Sequence, residues 1–215
     1  MGTMENMKLI ARAVAPFLLS ALAALGQYKA DPAGAPPSEV APAIAQVLQK
    51  SGFKISNNGA VYCEVWFRGN QPSGAKTSEQ NVTLPSVPMG ALLGVIRFSG
   101  NGSDRRGQTI KPGVYTLRYG IMPMNGDHQG AAPQRDFMLM VPASEDKDPN
   151  STPNFDALAA MSRKASGTPH PAVLSFWKSD SDAPGFTQQG DSDWVLQGKI
   201  GDTAIAVILI GSASS

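Results

Sequence analysis

Only two histidines occur in this 215-residue chain, and each stands among residues able to hold an ion. His128 lies in Gly126-Asp-His-Gln-Gly130, and His170 in Thr168-Pro-His-Pro171. Imidazole nitrogens bind borderline transition metals and also exchange protons near neutral pH, so a pair of them can serve a metal centre or an acid–base site. If the strand before His128 and the strand after His170 are antiparallel neighbours, the two rings meet at one sheet edge. Asp127 or Asp136 then supplies an oxygen ligand, and Arg135 an anion-binding partner. Pro169 and Pro171 keep the backbone around His170 extended and stiff, as a preorganised ligand requires. No cofactor is certain: on this reading His128, His170 and Asp127 would hold a divalent transition metal such as zinc, copper or non-haem iron, and otherwise the two are separate structural histidines. No His-x-x-x-His or other short paired spacing accompanies them.

Other chemistries find less support in the residue pattern. Asp180, Asp182, Asp191 and Asp193 offer oxygen ligands, but their spacing does not build a helix-loop-helix calcium loop. No Gly-x-Ser-x-Gly occurs, and the phosphate-loop and dinucleotide fingerprints are missing. Cys63, the single cysteine, shares parity with Val61, Val65 and Phe67 and reads as a small core residue. Trp66, Trp177 and Trp194 could present rings to a glycan or a protein partner. Asn81, Asn101 and Asn150 each begin a glycosylation acceptor triplet, which matters only in a eukaryotic secretory pathway.

The elements that must position these groups are short strands. Gly113 to Ile121 alternates so that Tyr115, Leu117, Tyr119 and Ile121 share a face, and Phe137 to Val141 is apolar on both parities. Met122 to Gln134, which carries His128, is a long connection between those two strands, the kind of segment on which sites are built. Upstream, Asn58-Gly59 predicts a tight hairpin between Phe53–Ser56 and Ala60–Arg68. In its second strand Tyr62, Glu64, Trp66 and Arg68 point away from the core set, toward solvent, a partner or a ligand. Further strands are expected at Val82–Leu84, Leu92–Phe98, Ala172–Trp177, Trp194–Ile200 and Thr203–Ile210, the last apolar on both faces and therefore central. One helix is expected from Ser38, with Val40, Ile44, Val47 and Leu48 inward, and another from Thr152-Pro153 to Gly167, with Phe155, Leu158, Ala159 and Ser162 inward. The fold class expected is mainly β: an antiparallel two-sheet β-sandwich with two short peripheral helices.

Lys8 and Arg12 precede the apolar run Ala13 to Leu25, and Ala24-Leu25-Gly26 supplies small residues before a cut ahead of Gln27. Residues 1–26 therefore read as a signal peptide, 27–37 as a flexible leader rich in Pro, Gly and Ala, and 38–215 as a single domain. The expected address is exported, periplasmic or extracellular, with no membrane span after signal removal because the run is too short. Loss of Lys8, Arg12 and Glu5 with the signal takes the formal net charge from +1 to zero, and a balanced chain does not suit nucleic acid. The positive stretch Arg97, Arg105, Arg106, Lys111 and Arg118 is expected to be a solvated face.

Lys111-Pro-Gly-Val-Tyr-Thr-Leu117, with Glu64-Val-Trp-Phe67 upstream, resembles small exported bacterial β-sandwich proteins of a domain-of-unknown-function type. The resemblance implies a sandwich and export, and no reaction. With no coherent catalytic set, the chain reads as a binding or structural module for an unknown small molecule, glycan or protein. The 122–134 loop is its expected working edge, and a metal-dependent enzyme or metal carrier using His128 and His170 is the alternative.

Overall fold

The structure, a computed structural model, describes residues 28–122 and 135–213. The strands are β1 (Tyr28–Ala33), β2 (Gly52–Asn57), β3 (Ala60–Phe67), β4 (Leu92–Phe98), β5 (Gly102–Ser103), β6 (Thr109–Ile110), β7 (Gly113–Ile121), β8 (Asp136–Pro142), β9 (Val173–Leu174), β10 (Phe176–Lys178), β11 (Gly185–Gln189), β12 (Asp193–Ile200) and β13 (Thr203–Ile210). The helices are α1 (Pro42–Val47) and α2 (Phe155–Ser166). A seven-stranded antiparallel sheet runs β1-β2-β3-β4-β7-β8-β9, a four-stranded one β10-β13-β12-β11, and β5-β6 form a small ribbon. The fold is thus mainly β with antiparallel sheets and two helices, and no described helix is long and apolar enough to cross a membrane.

One hydrophobic cluster joins the two larger sheets: Val65, Phe67, Ile96, Leu117 and Met140 from the larger, Leu196, Ile205 and Val207 from the smaller. Strands apolar on both parities fill two clusters at once. Met138 and Met140 of β8 enter the shared cluster, while Phe137, Leu139 and Val141 pack with Leu158 of α2. β13 lies between β10 and β12, as its two apolar faces require.

Local chemistry sets several boundaries away from those the sequence predicts. Asn58 (φ 49°) and Gly59 (φ 84°) make the primed turn joining β2 to β3, as expected. A bulge then pairs Ile55 with Cys63 but Ser56 with Val61, which leaves Tyr62 as the extra residue. The parity shift carries Tyr62 onto the shared core and leaves Val61, expected inside, 36% exposed. Trp66 and Glu64, expected on an accessible face, are buried: Ala33, Val40, Ile44 and Leu48 cover Trp66, and its Nε1 donates to Gly34 O at 2.8 Å. The same contacts hold down the supposed leader, whose residues 28–33 pair with β2.

α1 is shorter than predicted and Ser38 does not cap it; the Ser38 hydroxyl donates to Glu39 instead. Pro42 disfavours helical backbone at Ala41 (ψ 142°), and beyond Val47 the chain turns to pair with the end of β3 through Gln49 N to Phe67 O at 2.9 Å. α2 starts later than Thr152, because Asn154 Oδ1 accepts from Ala157 N at 3.0 Å, and it ends on left-handed Gly167 as expected. The predicted strand at 82–84 is irregular, since Thr83 is drawn to Asp136. The predicted strand 172–177 divides at Ser175: β9 belongs to the larger sheet and β10 to the smaller. β11, unexpected, pairs with β12.

Candidate functional site

The residues singled out by sequence do not assemble into one centre among the described residues. Asp127 and His128 lie outside them. The stem of the 122–134 loop is tied by Met122 N to Arg135 O and Arg135 Nη2 to Met122 O, each at 2.7 Å. Arg135, expected to bind an anion, already pairs with Glu79. Asp136 is fully buried and accepts from Thr83 N at 2.6 Å, Thr83 Oγ1 at 3.0 Å and the Tyr119 hydroxyl at 2.9 Å. A carboxylate so engaged would have to shed those donors to ligate a metal, and here it pins the irregular 77–87 segment onto β7 and β8. Burial and the neighbouring Asp136 charge push the Tyr119 phenol up, so it stays a donor.

His170 is exposed, its N–H on Thr168 Oγ1 at 3.0 Å and its carbonyl accepting from Ser166 Oγ at 2.6 Å. The adjacency on which the two-histidine site depends does not hold. β8 separates β7 from β9, and the register Met138 with Leu174, Leu139 with Val173 sends the chain before β9 toward the Pro142 end of β8. His170 is therefore at the opposite end of β8 from Asp136 and the stem of the loop, about 20 Å away along a seven-residue strand. No three His, Cys, Asp or Glu among the described residues are grouped to hold a metal. The acidic loop is also spoken for in part: Asp193 pairs with Arg105 at 2.7 Å, and Asp182 with Lys199 at 3.0 Å. Cys63 is buried, and desolvation followed by the Glu64 charge drives its thiol up, away from the reactive thiolate.

A different region has the form of a binding site. The edge strand of each larger sheet, β1 in one and β11 in the other, borders a cleft of about 570 Å³. Tyr28, Phe53 and Phe186 present half-buried rings there, with Lys29 and Asp31 as charged neighbours and Pro32 and Pro184 at its sides. Behind them Trp194 meets the Tyr28 ring at 5.2 Å and the Phe186 ring at 5.4 Å. Phe53 packs on Phe67 at 6.2 Å, and Gly198 leaves the room, since a Cβ there would stand 2.7 Å from the Phe67 ring. Val61, outside the cleft, is the one exposed large hydrophobic among the described residues. Sequence reasoning pointed to Trp194 but missed Tyr28 and Phe186, because each belongs to a stretch that reads as loop until its partner strand is known. Trp66 is core and Trp177 packs half-buried on Val195, Ala206 and Ile208.

Comparison with protein-family models, with curated proteins and with solved structures finds no match.

Proposed function

We propose that this chain is an exported binding module whose two larger sheets stack as a β-sandwich, and that it takes its ligand in the cleft between β1 and β11. The observation that carries the reading is the convergence of Tyr28, Phe53 and Phe186 on one concavity at the margin where both sheets leave an edge strand unpaired. Rings supported from behind by Trp194 are held at fixed orientation, which lowers the cost of ordering them around a ligand. The matching ligand offers a flat apolar face, either the C–H face of a sugar ring or an aromatic side chain, with polar groups for Lys29 and Asp31.

Trp194 emission tests this directly. Neutral hexasaccharides and short peptides containing Phe or Tyr, titrated separately, distinguish the two sources. Binding is expected to change the emission saturably in one arm, and Phe186→Ala is expected to abolish the change while leaving the thermal midpoint nearly unmoved. An unaltered response in Phe186→Ala, or none in either arm, would remove the cleft as the site. Export is tested by N-terminal sequencing of protein recovered from outside the cytoplasm, with Gln27 expected first.

A further inference from the structure

Arg68, immediately after β3, lines a second concavity of about 300 Å³ together with Gln71, Ser73, Pro149, Asn150 and Thr152. The main chain fixes its place firmly: Arg68 N donates to Leu93 O at 2.8 Å, and Arg68 O accepts from Gly201 N at 3.2 Å. Its guanidinium is much less well provided for. Nη1 donates to Pro149 O at 2.9 Å, but Nε is buried without an acceptor. No ion pair among the described residues includes Arg68. Glu64, the nearest acid along the strand, is taken by Arg97 through Nε at 2.7 Å. Burial first, and then the positive charge of Arg118, push the Arg68 guanidinium below its ordinary value.

A half-buried cation with a like charge nearby and an unmet donor is costly unless something of opposite charge comes to it. Nε is closed to solvent, and water at the open end of the group would leave its charge uncompensated. We infer that the Arg68 concavity is an oxyanion site, taking a phosphate, a sulfate or a ligand carboxylate as the counter-ion that the chain itself omits. Ser73, Asn150 and Thr152, which line the same space, are residue types that carry neutral donors for such an anion. The site is separate from the aromatic cleft and does not depend on it, since the two concavities share no lining residue.

The test uses the full chain in sodium chloride, with sulfate, phosphate or acetate exchanged in at matched ionic strength. A specifically bound anion raises the thermal midpoint in proportion to ln(1 + [L]/Kd), whereas exclusion of sulfate or phosphate from the surface raises it linearly and alike in wild type and Arg68→Gln. At least one anion is expected to raise the midpoint over chloride with that logarithmic dependence. The tetrahedral arms acting alone identify a phosphate or sulfate ligand, and acetate acting with them identifies any oxyanion. Arg68→Gln is expected to abolish the logarithmic part of the shift, and Arg68→Lys to weaken binding about tenfold by losing the planar fork. In the wild-type chain the Arg68 Nε–H resonance should move saturably with the same Kd, a readout that needs no variant to fold. Equal stabilisation in wild type and Arg68→Gln, or no shift of that resonance with any of the three anions, would overturn the inference.

Discussion

Arg118 and Arg68 flank the start of β4, one paired opposite Leu92 and the other bonded to Leu93, yet the structure treats them in opposite ways. Arg118 is completely buried and every donor is met: Nε and Nη2 grip Asp146 at 2.7 and 2.6 Å, Nη1 reaches Gly90 O and Ser151 O, and Nη2 also reaches Asp148 O. Thr116 Oγ1 completes the Asp146 carboxylate at 2.5 Å. Three backbone carbonyls and a carboxylate from the 90 and 146–151 segments thus converge on one guanidinium, which organises loops that have no regular structure of their own. Among the described residues the Arg68 guanidinium has one acceptor and no acid. The comparison teaches that a buried charge acts as a structural clamp when the chain supplies both its donors' partners and its counter-ion, and as binding capacity when it does not.

The largest expected effect comes from making Arg118 resemble Arg68. Asp146→Ala should cost about 3–5 kcal/mol in urea denaturation by leaving a buried cation uncompensated. A loss below about 1 kcal/mol would mean that water reaches Arg118 and that the contrast is only apparent. Removing both charges, Arg118→Met with Asp146→Leu, should recover part of that loss yet remain about 1–3 kcal/mol below wild type, because the carbonyls of Gly90, Asp148 and Ser151 lose their donor.

A neutral donor should matter less. Tyr119→Phe removes one of the donors on Asp136 and leaves the two from Thr83, so about 1 kcal/mol is expected from the same denaturation measurement. Arg68→Gln in chloride is expected to fall within about 0.5 kcal/mol of wild type, since the group removed is itself incompletely met. A loss comparable with that of Asp146→Ala would show that Arg68 is a second clamp.

At neutral pH the last effect vanishes, since it is confined to high pH. Burial, the larger cause, and neighbouring Cys63 and Tyr28 push the Tyr62 phenol from 10.0 up to about 12. A raised value favours the neutral form in the folded state, so this contribution is complete below pH 10 and is lost as pH rises toward 12. The thermal midpoint should decline across that window, less steeply in Tyr62→Phe. Identical profiles for the two proteins would place the alkaline transition elsewhere.

Much of the architecture was legible because it depends on short-range rules. Asn58-Gly59 accepts left-handed backbone at low cost, two-sided apolar runs at 137–141 and 204–210 can only be interior strands, and the Gly167 stop follows from its φ of 66°. The candidate sites were not legible in the same way. Tyr28 and Phe186 are distant in sequence and belong to different sheets, so nothing in either neighbourhood announces that they face one cleft. Arg118 read as part of a solvated positive face, and only the return of residues 146–151 over the sheet makes it a buried clamp.

By itself, then, the sequence determined which segments extend, where they turn and that apolar strands dominate, since these follow from side-chain size, parity and backbone freedom over a few residues. The tertiary structure alone decided which charges are matched. Whether an arginine meets an aspartate, a carbonyl or nothing depends on chain segments brought together from far along the sequence, and Coulombic and desolvation energies change steeply over those few ångströms.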